Sequence, residues 1–215
     1  MLLSAKRLAD EIRHGNEGES NGITIVPTPD LAQLERTGEA SVNLRLGRWF
    51  VTMRLSNETA VNTIYEEDSN ANKLSKQYFV PFGANFVLHP NRFVLASTLE
   101  WVRLPATYAA FVVGKSSLGR RGIIIETAAG VHPGFSGCLT LEIANVGEIP
   151  VKLVAGMMIG QLFVQGVEGG DGGTQSSLAG QRKPRLGQIQ EDAILKKLMA
   201  SRRLKAKARK MRENY

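Results

Sequence analysis

Cysteine and histidine are scarce in this 215-residue chain, which has one Cys and three His. A lone Cys138 excludes any disulfide within the chain and fits a reducing compartment. Its residue type reads as a small core side chain rather than a nucleophile. His14, His89 and His132 lie far apart in sequence, so no metal-ligand spacing is formed and no protein-held metal is expected. Aromatics are 7% of residues, and only Tyr215 falls in the basic C-terminal stretch. Nucleic acid is therefore not an expected partner. No apolar run reaches the ~20 residues of a membrane span, so no membrane partner is expected. MLLSAKRLADEIRHG places charges at once and has no long apolar stretch, which is not the pattern of a secretory signal. The expected location is cytoplasmic.

What is abundant is positive charge, and it is unevenly placed. Residues 191–215 hold nine Lys/Arg against three Asp/Glu, so six of the chain's seven net positive charges lie there. The body is nearly neutral. EGGDGGT at 168–174 reads as a flexible linker. The expected organisation is a β domain over 1–167, a flexible lid segment over 168–190, and a basic, helical tail over 191–215. In the tail, Ile194, Leu195, Leu198 and Met199 fall at helical spacing. The tail reads either as an amphipathic helix docking on a neighbour or as a solvated appendage.

Period-two patterning dominates the body. SVNLRLGRWFVTMRL alternates, with Val42, Leu44, Leu46, Phe50, Met53 and Leu55 as core candidates. Further strands are expected at 78–82, 86–89, 92–97, 99–104, 108–113, 122–126, 138–145, 150–154 and 158–165, punctuated by Pro, Gly, Asn and Asp. Residues 16–40 read as loop-rich and 56–75 as a polar excursion. Ser4 is placed to cap a short N-terminal helix ending near Gly15. The fold class expected is all-β with minor helices, a distorted jelly roll or β-barrel.

Chemistry concentrates between Gly114 and Gln161. Lys115, Arg120 and Arg121 carry fixed positive charge, Ser116 and Ser117 carry hydroxyls, and Gly114 and Gly119 allow close backbone approach around Leu118. That mixture suits a polyphosphate, although a solvated polar turn has the same composition. Beyond the Pro133–Gly137 turn, Glu142 interrupts the apolar run Cys138, Leu139, Thr140, Leu141, Ile143. Such an acid either faces solvent by alternation or sits in a site that uses its charge.

Three pieces in this order carry a resemblance: KSSLGR at 115–120, PGFSG leading into TLE at 133–142, and AGMMIGQ at 155–161. Together they resemble the core of the dCTP deaminase and trimeric dUTPase superfamily. SVNLRLG at 41–47, FVLHPNRFVLASTLEWVRLP at 86–105 and GQRKP at 180–184 extend the likeness to roughly residues 1–187. The acid in TLE points to the deaminase branch. The resemblance implies a dUTPase-like fold, a homotrimer with sites between subunits, and zinc-free deamination of dCTP to dUTP and ammonia. Glu142 would be general base and then general acid, and Arg120 would hold it ionised and oriented. Ser116 and the Ala128 carbonyl would position the water. Lys115, Ser117 and Arg120 would face phosphates within the loop Lys115–Arg120, which includes Leu118 and Gly119. Thr140, Leu141 and the Ala128 region would line the base. Gln161 would hold the base-side strand, and Gln181 would close over the phosphates. Mg²⁺ would accompany the triphosphate without a dedicated protein site. A zinc deaminase would need H-x-E and P-C-x-x-C, which one cysteine cannot supply.

The chain departs from that pattern at three points. His132 stands where the family has an Asp that contacts the sugar hydroxyl and, in dUTPases, also positions the attacking water. It reads either as a hydroxyl contact or as an ordinary turn residue, and it supplies no carboxylate. Asn43 stands for another Asp, and Ser177 for a phosphate-facing Lys, with Lys183 a candidate to compensate. Two alternatives stay open: a dUTP diphosphatase or bifunctional dCTP deaminase/dUTPase, and a catalytically silent nucleotide-sensing or interaction protein.

Overall fold

The computed structural model describes residues 1–54, 74–126, 130–169, 180–184, 186, 193–194 and 197–198. Ala128, Ser177, the linker beyond Gly169, nearly all of the 56–75 excursion and most of the basic tail therefore lie outside the described residues. Met1–Met53 and Ser75–Arg185 form one compact unit.

The unit opens with α1 (Ala5–Asn16), whose Ser4 cap accepts a hydrogen bond from the Arg7 amide. Its apolar stripe buries Leu8, Ala9 and Ile12. β1 (Thr24–Val26) and α2 (Leu31–Thr37) follow, inside a stretch expected to be loop. Asp30 caps α2 by accepting from the Gln33 amide, and Gly38 ends it in the left-handed conformation, φ 70°. Only Leu34 of α2 is buried. Seven residues with one core contact leave almost no periodic signal, which is why the helix is hard to see in the sequence.

The strands are β2 (Val42–Met53), β3 (Ser75–Phe79), β4 (Asn85–Leu88), β5 (Arg92–Arg103), β6 (Tyr108–Gly114), β7 (Ile123–Glu126), β8 (Ser136–Asn145), β9 (Val151–Val154) and β10 (Met158–Gly166). A single-turn helix α3 (Ser116–Gly119) joins β6 to β7. The main sheet runs β6-β10-β2-β5-β8-β7, with β1 added on β5 and β3 on β2; β4 and β9 form a separate pair. All these strand pairs are antiparallel in this mostly β, nearly closed, barrel-like architecture. The two ends of the path approach each other: a Cβ on Gly114 of β6 would sit 3.1 Å from the Ile125 Cβ of β7. The all-β expectation with minor helices holds.

Two element expectations are corrected. The strands expected at 92–97 and 99–104 are one strand, β5, whose pairing with β8 continues across an irregularity between Ser97 and Trp101. There the Glu100 carboxylate accepts the Arg45 amide at 2.8 Å, filling a gap in the β2–β5 ladder. The strand expected at 78–82 lies earlier, because Pro81 has no amide hydrogen to donate and Phe82–Gly83 form a turn, with Gly83 at φ 84°.

Alternation along β8 divides its side chains between core and outer face. Leu139 enters one apolar cluster, with Val42, Leu44 and Leu162. Leu141 and Ile143 enter the other, with Leu46, Phe50 and Ile159. Each fully buried aliphatic side chain contributes about 1.5–3 kcal/mol. That burial fixes the register and sends Thr140 and Glu142 to the opposite face.

Candidate functional site

The outer face of β8 carries Cys138, Thr140, Glu142 and Ala144, all half-buried. Cys138 is thus not the buried core residue its type suggested, since it shares the face of Glu142. Burial raises its thiol pKa, with nearby Arg182 acting the other way. Among the described residues the Glu142 carboxylate has no hydrogen-bond or ion-pair partner within the chain. Its cross-strand neighbours are Leu95 on β5 and Glu126 on β7. Glu126, exposed at the end of β7, shares the face of Glu142 and was missed by sequence reasoning; an acid closing an apolar run, IIIE, is the one available signal.

The segment 180–184 lies against the beginning of this strand. The Cys138 amide donates to the Gln181 carbonyl at 2.7 Å, and the Gly180 amide to the Ser136 carbonyl at 2.6 Å. The Gln181 amide nitrogen donates to Thr140 Oγ1 at 2.9 Å, two positions along β8 from Glu142. Gln181 Oε1 is buried and has no donor. Lys183 does not reach the Lys115 loop: its Nζ sits 3.9 Å over the Trp49 ring.

The basic loop is built on a different anchor. Lys115 begins α3, and its amide donates to the Ile159 carbonyl of AGMMIGQ at 3.2 Å. Its ammonium group hydrogen-bonds Asn43 Oδ1 on β2. Leu118 is buried and pins the turn, while Ser116, Ser117, Gly119 and Arg120 are exposed. Arg121 donates to the Ser117 carbonyl at 2.7 Å. Gln161 Nε2 donates to Ser41 Oγ at 3.1 Å, one residue pair from the Lys115–Asn43 contact. This side of the site therefore consists of an exposed set of donors and cations on a buried base.

Among the described residues no hydrogen bond or ion pair joins the two halves. Arg120 precedes β7, whose Ile123 pairs with Asn145, three positions from Glu142 along β8. Three strand residues span roughly 10 Å. Among the described residues Arg120 makes no side-chain contact with Glu142. His132 is exposed at its turn, where its carbonyl accepts the Phe135 amide at 3.1 Å. The Leu141 side chain is wholly buried, so only its backbone can face a ligand. A cleft of about 170 Å³ lies elsewhere, between α2 and β2; it is lined by Asn43, Arg45 and Glu100 among others, but not by Thr140, Glu142 or the α3 loop. The chemistry-bearing face is an open sheet surface, so the cleft is not taken as its pocket.

The family model described as dCTP deaminase-like matches residues 2–167. The chain belongs to the dCTP deaminase-like family. A relative from Bifidobacterium adolescentis named "dCTP deaminase, dUMP-forming" is 44% identical over 142 residues, covering 65% of this chain and 69% of its own. One of the same name from Bifidobacterium longum is 41% identical over 170 residues, covering 75% and 83%. The crystal structure of 2′-deoxycytidine 5′-triphosphate deaminase from Agrobacterium tumefaciens shares the fold at TM-score 0.55 and 22% identity. That match covers 76% of this chain and 47% of the other, so the chain spans about half of that structure's length. The relatives' names state dUMP as their product, whereas the sequence reading expects dUTP.

Proposed function

We propose that this chain hydrolyses the 4-amino group of dCTP, with Glu142 moving the protons. The supporting observation is the half-buried, unpartnered Glu142 carboxylate on a strand register held by the core. The relatives' printed name gives the substrate class. Water attacks C4 and loses a proton to Glu142, which passes it to N3. The hydroxyl proton of the resulting adduct then returns through Glu142 to the amino nitrogen. The C4–N bond breaks with its electron pair on nitrogen, leaving the uracil carbonyl and ammonia.

The remaining roles are those the family resemblance implies. Ser116 and the Ala128 carbonyl position water. Lys115, Ser117 and Arg120, with the exposed backbone at Gly119, receive phosphates, and Leu118 anchors their turn. Thr140 and the Leu141 backbone border the base, Gln161 braces β10 against β2, and His132 contacts the sugar. Gln181, tied to Thr140 through its amide nitrogen, closes over the bound nucleotide's phosphates. Mg²⁺ arrives on the triphosphate and neutralises its charge there; among the described residues no group of three His, Cys, Asp or Glu is assembled to hold it.

The separation of Arg120 from Glu142, and the open face around Glu142, favour a homotrimer in which one copy's α3 loop faces another's β8. For the product, two observations pull apart. His132 supplies no carboxylate for attack at phosphorus, which favours release of dUTP. The relatives' names favour dUMP. We hold to dUTP and ammonia as the products, with the bifunctional reaction as the alternative. Incubation of purified protein with Mg²⁺ and dCTP tests this: dUTP and ammonia are expected in equal amounts. Ammonia with dUMP and pyrophosphate would favour the bifunctional reaction, and no ammonia would refute deamination.

A further inference from the structure

We infer that Glu126 is a second carboxylate of this site and that it receives the leaving amine; the inference rests on the deamination reading above. The β7–β8 register pairs Glu126 directly with Glu142. Antiparallel partners share a face with Cβ atoms about 4.5–5.5 Å apart. Two carboxylates placed so repel each other, and among the described residues neither makes an ion pair. A third acceptor joins the face, because Gln181 Oε1 is buried without a donor where its amide nitrogen grips Thr140.

Around the two carboxylates the described side chains of this face offer mainly acceptors, with the Thr140 hydroxyl and the Cys138 thiol as neutral donors. The complementary group is one with several N–H donors, no acceptor and a positive charge. The reaction generates such a group when the C4 amine takes its proton from Glu142 and becomes –NH₃⁺ just before the C4–N bond breaks. Glu126 gives and takes no proton in this step. It stays ionised, accepts a hydrogen bond from the amine as positive charge develops, and favours departure over return. Since the charge exists only after water has added and the amine has been protonated, this contact acts on turnover rather than on substrate binding.

The test compares parent, Glu126→Gln, Glu126→Asp and Glu142→Gln for ammonia release from dCTP, for dCTP affinity, and for inhibition by added ammonium chloride against a sodium chloride control. Glu126→Gln is expected to lower kcat about tenfold with KM within about twofold, and to weaken ammonium inhibition several-fold. Glu126→Asp should recover part of both. Thermal stability should be unchanged or higher in Glu126→Gln, because a like-charge pair is relieved. Unchanged kcat and ammonium inhibition in Glu126→Gln, with an active parent and an inactive Glu142→Gln, would overturn the inference and leave the deamination reading standing. A rise in KM alone would also overturn it, since that marks a ground-state contact. A parent unable to release ammonia from dCTP would overturn both.

Discussion

Among the described residues Glu142 has no hydrogen-bond or ion-pair partner, unlike the other prominent acid of the main sheet. Glu100 is almost fully buried and accepts the Arg45 amide at 2.8 Å. Glu142 is half-buried and unpaired, which suits a group that must exchange protons with a ligand. Replacing it with Gln keeps shape and removes the proton shuttle. Deamination should fall by on the order of 10²–10⁴, with nucleotide binding retained by calorimetry. Lys115→Ala and Arg120→Ala should each weaken dCTP binding by roughly 1.5–3 kcal/mol, and Arg120→Ala should slow turnover as well. If both variants bind dCTP like the parent, the α3 loop is not the phosphate cradle. For Glu100, burial raises the carboxyl pKa above its ordinary value, against the Arg45 hydrogen bond. The folded state then binds the proton more tightly than the unfolded state, so this residue's contribution to stability declines as pH rises past the ordinary carboxylate value. Glu100→Gln should lose less stability on going from pH 4 to pH 7 than the parent does, measured by urea unfolding. An equal pH dependence would contradict that account.

At the scale of elements, β8 joins stability to function through alternation. Leu141→Ala opens the core and should cost about 2–5 kcal/mol in urea unfolding. Thr140→Ala, one residue away on the outer face, should cost much less and act instead on the Gln181 contact, raising KM for dCTP. Similar destabilisation by both would mean the two faces are not separated as described. β8 was legible from sequence because it buries every second residue along its whole length, and β2 and β10 because alternation holds over part of theirs, Val42–Leu46 and Gly160–Val164. α2 was not, since it buries Leu34 alone, and β5 was read as two strands because its bulge at Glu100 breaks the period. In the site, Glu142 and the Lys115–Arg120 loop carried local signals of composition and spacing. Glu126 did not, because its significance lies in a register between strands ten residues apart, which no pattern within either strand encodes. The placement of Gln181 on Thr140 is hidden for the same reason, being a contact over 41 residues.

For the whole molecule, the claim is that one chain holds two half-sites. The α3 loop presents cations and hydroxyls, and β8 presents the acid, roughly 10 Å or more apart along the strand. Two inactive variants, Arg120→Ala and Glu142→Gln, should therefore complement each other once their subunits exchange. In randomly mixed homotrimers about a quarter of the sites would combine an intact loop with an intact acid. Recovery near that level, read as ammonia release, supports sites shared between copies, and no recovery after verified exchange places both groups in one chain. The central claim is narrower and is tested most directly by one assay of the purified protein. With dCTP and Mg²⁺ it should release ammonia and dUTP in equal amounts, and Glu142→Gln should bind dCTP yet release almost none. Ammonia release by the Glu142→Gln variant at the parent's rate would contradict the account.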